Sequence, residues 1–275
     1  MKLSFITPEG SLEELATYSD LHLIIANFVV PGSKYTEFFK SRNEHVIMDC
    51  GTFEVGKPMT QKDIIKRAQL VNADEVVAPD ILFDWEGTVF NAQNFIDTIT
   101  TCTHPYDRIP ASEDDTHFVK PFKVMVVPQG KTPNEWLKCY EHLVDLNGVD
   151  VIGLSCLSVP HCFSKITGVQ TIMENRLLCV QQLINEGMVY DEYEYHLLGL
   201  GNPLELLYQK QHKWIRSCDT SSPIVHGIND VLYDPYLGLM QPKIKTKLDF
   251  KSTVPKSKYK NVLHNIAVLR KLACV

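Results

Sequence analysis

The chain has 275 residues, of which 44% are hydrophobic and 22% charged, with a formal net charge of −6. That composition belongs to a globular protein able to bury a large core, and it excludes disordered and collagen-like classes. No apolar run approaches the roughly 20 residues that span a bilayer. The opening MKLSFITPEG has neither an h-region nor a small-residue cleavage site, so a cytosolic protein with no membrane partner is expected.

Short apolar runs rich in β-branched residues recur along the chain. In order they are KLSFIT (2–7), LHLIIA (21–26), HVIMDC (45–50), EVVAP (75–79), FKVMVVP (122–128), VDVIGL (149–154), YHLLGL (195–200) and WIRSC (214–218). Runs of this kind read as strands buried on both faces, the pattern of a parallel sheet under helices. Helical stretches lie between them. Ser11 with Glu14 has capping-box spacing, and Thr132-Pro133-Asn134-Glu135 puts proline at the first helical position with Glu at the third. Asn202-Pro203-Leu204-Glu205 repeats that grammar, and other helices are expected near 60–72, 90–101 and 168–187. Residues 258–273 place Val262, Ile266, Leu269 and Leu272 at helical spacing, as in a closing helix docked on a core. Eight such alternations predict an α/β fold, a (β/α)8 TIM barrel over 1–240. The alternative is a doubly wound open sheet, but its Gly-rich phosphate fingerprint is missing after the first strands. Residues 103–121, polar and carrying three prolines, read as an irregular insertion.

The net charge is unevenly spread. Residues 241–275 hold nine basic side chains and one acid, a charge of +8, which leaves −14 for residues 1–240. A basic segment on an acidic body is either an electrostatic footprint for a polyanion or a solvated lysine-rich surface. The eight cysteines include no C-x-x-C pair, and the closest two, Cys156 and Cys162, lack zinc-ligand spacing. Reduced thiols and no metal site are expected.

In a barrel the chemistry gathers at the carboxyl ends of the strands. Those ends read Asp49-Cys50-Gly51, Pro79-Asp80, Pro128-Gln129-Gly130, Gly153-Leu154-Ser155, Gly199-Leu200-Gly201 and Cys218-Asp219. Each Asp alone could cap a helix. Three, with a glutamine and several glycines at equivalent ends, look like a site. Such carboxylates either hold Mg²⁺ or act as nucleophile and acid/base at a sugar anomeric carbon. The carboxamide favours the second, because it can read a base edge by paired hydrogen bonds.

These residues also carry a family resemblance, between about 21 and 226. Asp49-Cys50-Gly51-Thr52-Phe53-Glu54 is similar to the D-S-G-G-F-Q of tRNA-guanine transglycosylases. Val126-Val127-Pro128-Gln129-Gly130 resembles I-V-Q-G-G, and Val151-Ile152-Gly153-Leu154 resembles the G-G-L-A-V-G strand. His196-Leu197-Leu198-Gly199-Leu200-Gly201-Asn202-Pro203 is similar to H-L-M-G-V-G-T-P, and Asp219-Thr220-Ser221-Ser222-Pro223 to the nucleophile-bearing D-C-V-L-P. Most similar within that superfamily are the DNA-guanine transglycosylases of phages and bacteria, which insert 7-deazaguanines.

The resemblance implies a pentosyltransferase without a cofactor, in the cytosol of a bacterium or a phage-infected host. Asp219 would be the nucleophile, and Asp49 the general acid/base. Asp80 would accept from the guanine N1–H and 2-amino group, while Gln129 and the Gly153 N–H would donate toward O6, with Leu154 and Gly199 alongside. Phe53 and Leu198 would sandwich the base, worth about 1–3 kcal/mol. Cys50 and Cys218 read as packing neighbours of the catalytic positions. The partners implied are DNA, with its guanine flipped or single-stranded, and a free 7-deazaguanine such as preQ0. Lys210, Lys213, Arg216, Lys243, Lys245 and Lys247 are the candidate nucleic-acid contacts.

The pattern also departs from the family. The C-x-C-x-x-C…H zinc site of the tRNA enzymes has no counterpart from Asp219 onward, Thr52 replaces a glycine and Glu54 a glutamine. A reduced barrel without the zinc-binding subdomain points to DNA rather than tRNA. A zinc-free tRNA enzyme and a catalytically inactive nucleic-acid-binding barrel are the rival readings.

Overall fold

The computed structural model describes residues 1–52, 59–101, 121–167, 172–241, 244 and 248–274. Eight strands form one parallel sheet: β1 (Lys2–Phe5), β2 (His22–Ile25), β3 (Val46–Asp49), β4 (Glu75–Val77), β5 (Lys123–Val126), β6 (Val151–Ser155), β7 (Glu194–Leu198) and β8 (Ile215–Thr220). From β2 to β8 each strand pairs with the next in sequence, and β8 pairs with β1, so the sheet curls into a nearly closed barrel. The (β/α)8 TIM barrel expected from the alternation is the observed fold. The seam between β1 and β2 is bridged by side chains instead of a ladder. The Leu3 N–H donates to Asp20 Oδ2 at 2.9 Å, Phe5 N–H to Ser19 Oγ at 2.8 Å, and Leu23 N–H to Ser4 Oγ at 2.7 Å.

The helices among the described residues are α1 (Leu12–Leu15), α2 (Lys34–Lys40), α3 (Gln61–Leu70), α4 (Trp85–Thr101), α5 (Pro133–Val144), α6 (Ser158–Thr167), α7 (Ile172–Asn185), α8 (Leu204–Gln209), α9 (Ser222–Ile228) and α10 (Tyr259–Ala273). The Thr132 cap is as expected, its Oγ1 accepting from the Glu135 N–H at 3.2 Å, with Pro133 in the first turn. Ser11 is different: its hydroxyl makes no cap and instead accepts from the Val254 N–H at 2.9 Å, binding the C-terminal segment to the barrel. Tertiary pairing there outcompetes the local motif. At the helix expected over 90–101, the Asp84 carboxylate takes the Gly87 N–H at 3.1 Å, so α4 starts at Trp85. The stretch expected as one helix over 168–187 holds α7, and α6 precedes it. The expected insertion, 103–121, lies outside the described residues except for Pro121.

The closing helix α10 buries Val262, Ile266, Leu269 and Leu272, as its period requires. It lies so close to α9 that a Cβ on Gly227 would stand 2.7 Å from the Val262 backbone. Buried Asn265 fastens the pair, donating to Pro223 O of α9 at 3.3 Å, and it holds the segment after α9 by accepting from the Tyr233 N–H at 2.8 Å and donating to Val231 O at 2.9 Å. No helix among the described residues is long and apolar enough to cross a membrane.

The amino-terminal end of the barrel is plugged by charge. Arg216 on β8 reaches across to Glu75 on β4, the opposite strand, and also donates to Glu194 Oε2 at 2.7 Å. Glu194 takes Lys123 Nζ as well, at 2.7 Å, and His45 lies 3.2 Å from Glu75. Burial pushes the Glu75 carboxyl up, but His45 and Arg216 overcome that and hold it below its ordinary range.

His22 opens β2, buried edge-on to Phe39 with ring centroids 5.3 Å apart and no hydrogen-bond partner on Nε2. Burial, above the opposing influence of Glu44, lowers its pKa from 6.5 to about 4. Between those values the unfolded chain binds a proton that the native state refuses, so stability is lost as pH falls through this window, by on the order of 3 kcal/mol. His22→Leu is expected to flatten the pH dependence of Tm between pH 7 and pH 4.5, measured by thermal unfolding.

Candidate active site

A cavity of about 700 Å³ opens at the carboxyl ends of the strands. Inward-facing residues of the strands build its walls: Leu23 and Ile25 from β2, Val77 from β4, Ser155 from β6 and Leu198 from β7. Period-two alternation in a closed parallel sheet aims these side chains at one point. Three carboxylates line the same space, Asp49, Asp80 and Asp219. Among the described residues no lysine, arginine or histidine lines it. Ile244, Leu248 and Phe250 complete the wall from the C-terminal segment, and Phe250 stacks on Phe28 with centroids 4.5 Å apart.

Asp219 is held through one oxygen. Its Oδ1 accepts from the Gly199 N–H at 3.0 Å and pairs with His196 Nε2 at 3.1 Å. Both contacts leave Oδ2 to the cavity. Gly199 sits at φ +69°, a conformation that favours glycine, and a Cβ there would meet Cys156 Sγ at 2.6 Å. Behind this turn lies Arg176, completely buried on α7. Its guanidinium donates to Leu154 O at 2.9 Å, Leu198 O at 3.0 Å and Gly199 O at 2.8 Å, and pairs with Glu205 through both carboxylate oxygens at 2.5 and 2.9 Å. One side chain therefore ties together the carboxyl ends of β6 and β7.

Asp80 has a different setting. It is buried, and burial pushes its carboxyl above the ordinary range despite hydrogen bonds from Gln129, Thr52 and Cys50. Gln129 Nε2 donates to Asp80 Oδ2 at 2.5 Å, and Gln129 Oε1 accepts from the Phe83 N–H at 3.2 Å. Cys50 Sγ donates to Asp80 Oδ1 at 3.6 Å. Burial, with the Asp49 and Asp80 charges adding to it, raises the Cys50 thiol far above its usual value, so it remains a donor and no nucleophile. Asp49, half-buried, accepts from the Gly51 N–H at 3.2 Å through Oδ2.

The cavity thus gathers Asp49, Asp80, Asp219, Leu198 and Gly199 from the sequence-derived set. Gln129 stands behind Asp80 rather than against the cavity, its Nε2 donating to Asp80 and its Oε1 accepting from Phe83. Gly153 lies beneath Leu198, where a Cβ would clash at 2.7 Å, and Leu154 points away from the cavity with its carbonyl on Arg176. Phe53, Lys243, Lys245 and Lys247 lie outside the described residues. Lys210, Lys213 and Arg216 fall at the far end of the barrel, in or just before the start of β8. Lys210 Nζ bonds Cys274 Sγ at 3.1 Å, and Arg216 belongs to the charged plug. Proximity in sequence to Asp219 misleads here, because a strand carries its two ends to opposite faces of the barrel.

Sequence reasoning passed over Arg176, Glu205, Ser217 and the apolar residues of the C-terminal segment, and it quoted His196 without giving it a role. Only His196 carried a signal, two residues before Leu198 on an inward-facing alternation. Among the described residues no three His, Cys, Asp or Glu side chains cluster as metal ligands do.

No protein-family model matches the chain, and no curated protein matches it in sequence. The site has to be read from its own geometry. It offers a carboxylate fixed from behind through one oxygen, two further carboxylates in contrasting surroundings, and apolar walls around them.

Two outcomes follow from this geometry. Gln129→Leu removes the donor on Asp80 and the acceptor for Phe83, so the Asp80 pKa is expected to rise further, read from its carboxyl carbon in an NMR titration, with about 1–3 kcal/mol of stability lost. Gly199→Ala is expected to disturb the Asp219 contact and lower Tm, since the new methyl meets both a positive φ and Cys156.

Proposed function

We propose that the chain is a base-exchange transferase, replacing a guanine in DNA with a 7-deazaguanine through a covalent link to Asp219. The observation that carries this reading is the one-sided grip on Asp219: one oxygen is held by the Gly199 N–H and His196 Nε2, and the other is left to a cavity shared with Asp49 and Asp80.

In the first step the Oδ2 lone pair forms a bond to C1′ while the C1′–N9 bond breaks. Its electron pair leaves with guanine, and Asp49 supplies the proton. In the second step the incoming 7-deazaguanine attacks C1′, the Asp219 carboxylate departs with its electron pair, and the N9 proton passes to Asp49. Two displacements on opposite faces retain configuration, as in retaining glycosidases. Asp80, ionised, accepts from the N1–H and 2-amino donors of either base. Its raised pKa means that base binding weakens, as pH falls, above the usual aspartate range. Gln129 acts on the base through Asp80, which it orients. Leu198, Val77 and Val127 supply apolar faces for the ring.

The cavity lining also bears on the polymer. With no cationic side chain among its described residues, phosphates gain nothing by entering, so a nucleotide reaches the carboxylates flipped or single-stranded with its backbone outside. The C-terminal segment passes this mouth through Ile244, Leu248 and Phe250, and exposed Lys251 follows directly. That placement supports the segment, in preference to Lys210, Lys213 and Arg216, as the backbone contact.

The test is incorporation of a labelled 7-deazaguanine into single-stranded DNA, duplex DNA and tRNA. Wild type is expected to label DNA. Asp219→Ala should lose at least roughly 10³-fold in rate and form no covalent adduct, and Asp49→Asn should lose about 10²–10⁴-fold. Exchange by Asp219→Ala at the wild-type rate overturns the mechanism, and labelling of tRNA alone overturns DNA as the substrate.

A further inference from the structure

Beneath Asp219 the barrel interior holds a chain of polar groups that the base-exchange scheme does not use. His196 is fully buried on β7, beside an irregularity in the β7–β8 register between Tyr195 and His196. Its Nδ1 lies 2.7 Å from Ser217 Oγ, and its Nε2 lies 3.1 Å from Asp219 Oδ1. An ionised carboxylate has no hydrogen to give, so Nε2 carries the one that is shared. The Ser217 hydroxyl can donate or accept, and it fixes the ring either way.

Serine, histidine and aspartate in hydrogen-bonded order resemble a hydrolase triad, but the geometry runs in the opposite sense. Ser217 is fully buried and does not line the cavity, whereas Asp219 does. A substrate reaches the aspartate end of the chain and never the serine. The chain therefore serves Asp219.

We propose that His196 is a positioning residue for the second half of the exchange, the departure of the Asp219 carboxylate from C1′; the inference rests on the base-exchange reading above. Once Oδ2 is bonded to C1′, Oδ1 is the carbonyl oxygen of an ester. When the incoming base attacks, the electron pair of the C1′–Oδ2 bond returns to the carboxylate and is shared with Oδ1. Two donors already stand there, the Gly199 N–H at 3.0 Å and His196 Nε2 at 3.1 Å. They stabilise charge that appears in this step, the arrangement by which preorganised donors accelerate acyl chemistry. In the first step the same donors hold a charge that is being lost, so they give no such help. Removing His196 consequently slows breakdown of the intermediate and not its formation.

The experiment follows the covalent adduct of the full chain on a guanine-containing single-stranded oligonucleotide, quenched on denaturing gels, and then its decay on addition of a 7-deazaguanine base. His196→Phe, which keeps a flat ring and removes the donor, is expected to accumulate adduct and slow its decay roughly 10²-fold. His196→Gln, which retains an N–H, should recover most of that rate. Should His196→Phe fail to fold, His196→Asn, whose amide reaches the Nδ1 position but stops short of Asp219 Oδ1, reads the same step, with slow decay expected. Adduct that forms in the variants and decays at the wild-type rate overturns the role of His196 and leaves the base-exchange reading standing. Absence of any adduct in the wild type, with no base exchanged, overturns both.

Discussion

The Arg176–Glu205 pair is the interaction on which the mouth of this barrel depends. A guanidinium with no access to water is costly unless every donor finds a partner. Here both nitrogens facing Glu205 are paired, and the remaining donors cap three carbonyls at the ends of β6 and β7. The Leu198 carbonyl also takes the Cys156 N–H at 2.8 Å, so the guanidinium adds a second bond where the strands stop pairing. Fixing these carbonyls fixes the turn at Gly199, and the Gly199 N–H fixes Asp219. A charge buried on a helix thus sets an atom on the far side of the barrel wall.

Three chemically identical side chains in one cavity acquire different properties from what surrounds them. Asp80 is buried with an amide and a thiol, and burial raises its carboxyl. Asp219 is gripped on one oxygen by two N–H groups, which leaves a single oxygen facing the cavity. Asp49 is half-exposed at the end of β3, touching the glycine turn that follows. Contrasting environments for like groups are what acid, base and nucleophile roles require in one site.

Charge is also partitioned between the two ends of the barrel. The amino-terminal end holds Arg216, Glu75, Glu194, Lys123 and His45 in a plug of alternating charge, with Glu75 Oε1 and Arg216 Nε left buried without a hydrogen bond among the described residues. The carboxyl-terminal end collects acids, with no cation in the cavity lining among the described residues, and apolar residues of the otherwise basic C-terminal segment complete its wall. The uneven charge of the sequence thus has a spatial meaning. The acidic body places three carboxylates in the cavity, and described residues of the basic segment line the same space.

Much of this was legible in one dimension. Eight apolar runs separated by helical patterns determine a parallel (β/α)8 barrel, because a strand buried on both faces must be continuous in hydrophobicity and its crossover must be helical. The same logic places Asp49, Asp80 and Asp219 at one mouth, since all parallel strands end on the same side. Local grammar held where nothing competed with it, as at Thr132, and failed at Ser11, whose hydroxyl serves a residue 243 positions away. What only the tertiary structure decided is which groups those side chains touch. Gln129 turns to Asp80 instead of the cavity, Arg216 crosses the barrel to Glu75, and Arg176 and His196 take hold of the mouth from behind. Hydrophobic period is a property of consecutive residues and can be read from them. Hydrogen-bond partners in a closed barrel come from strands far apart in the chain, and only closure brings them within reach.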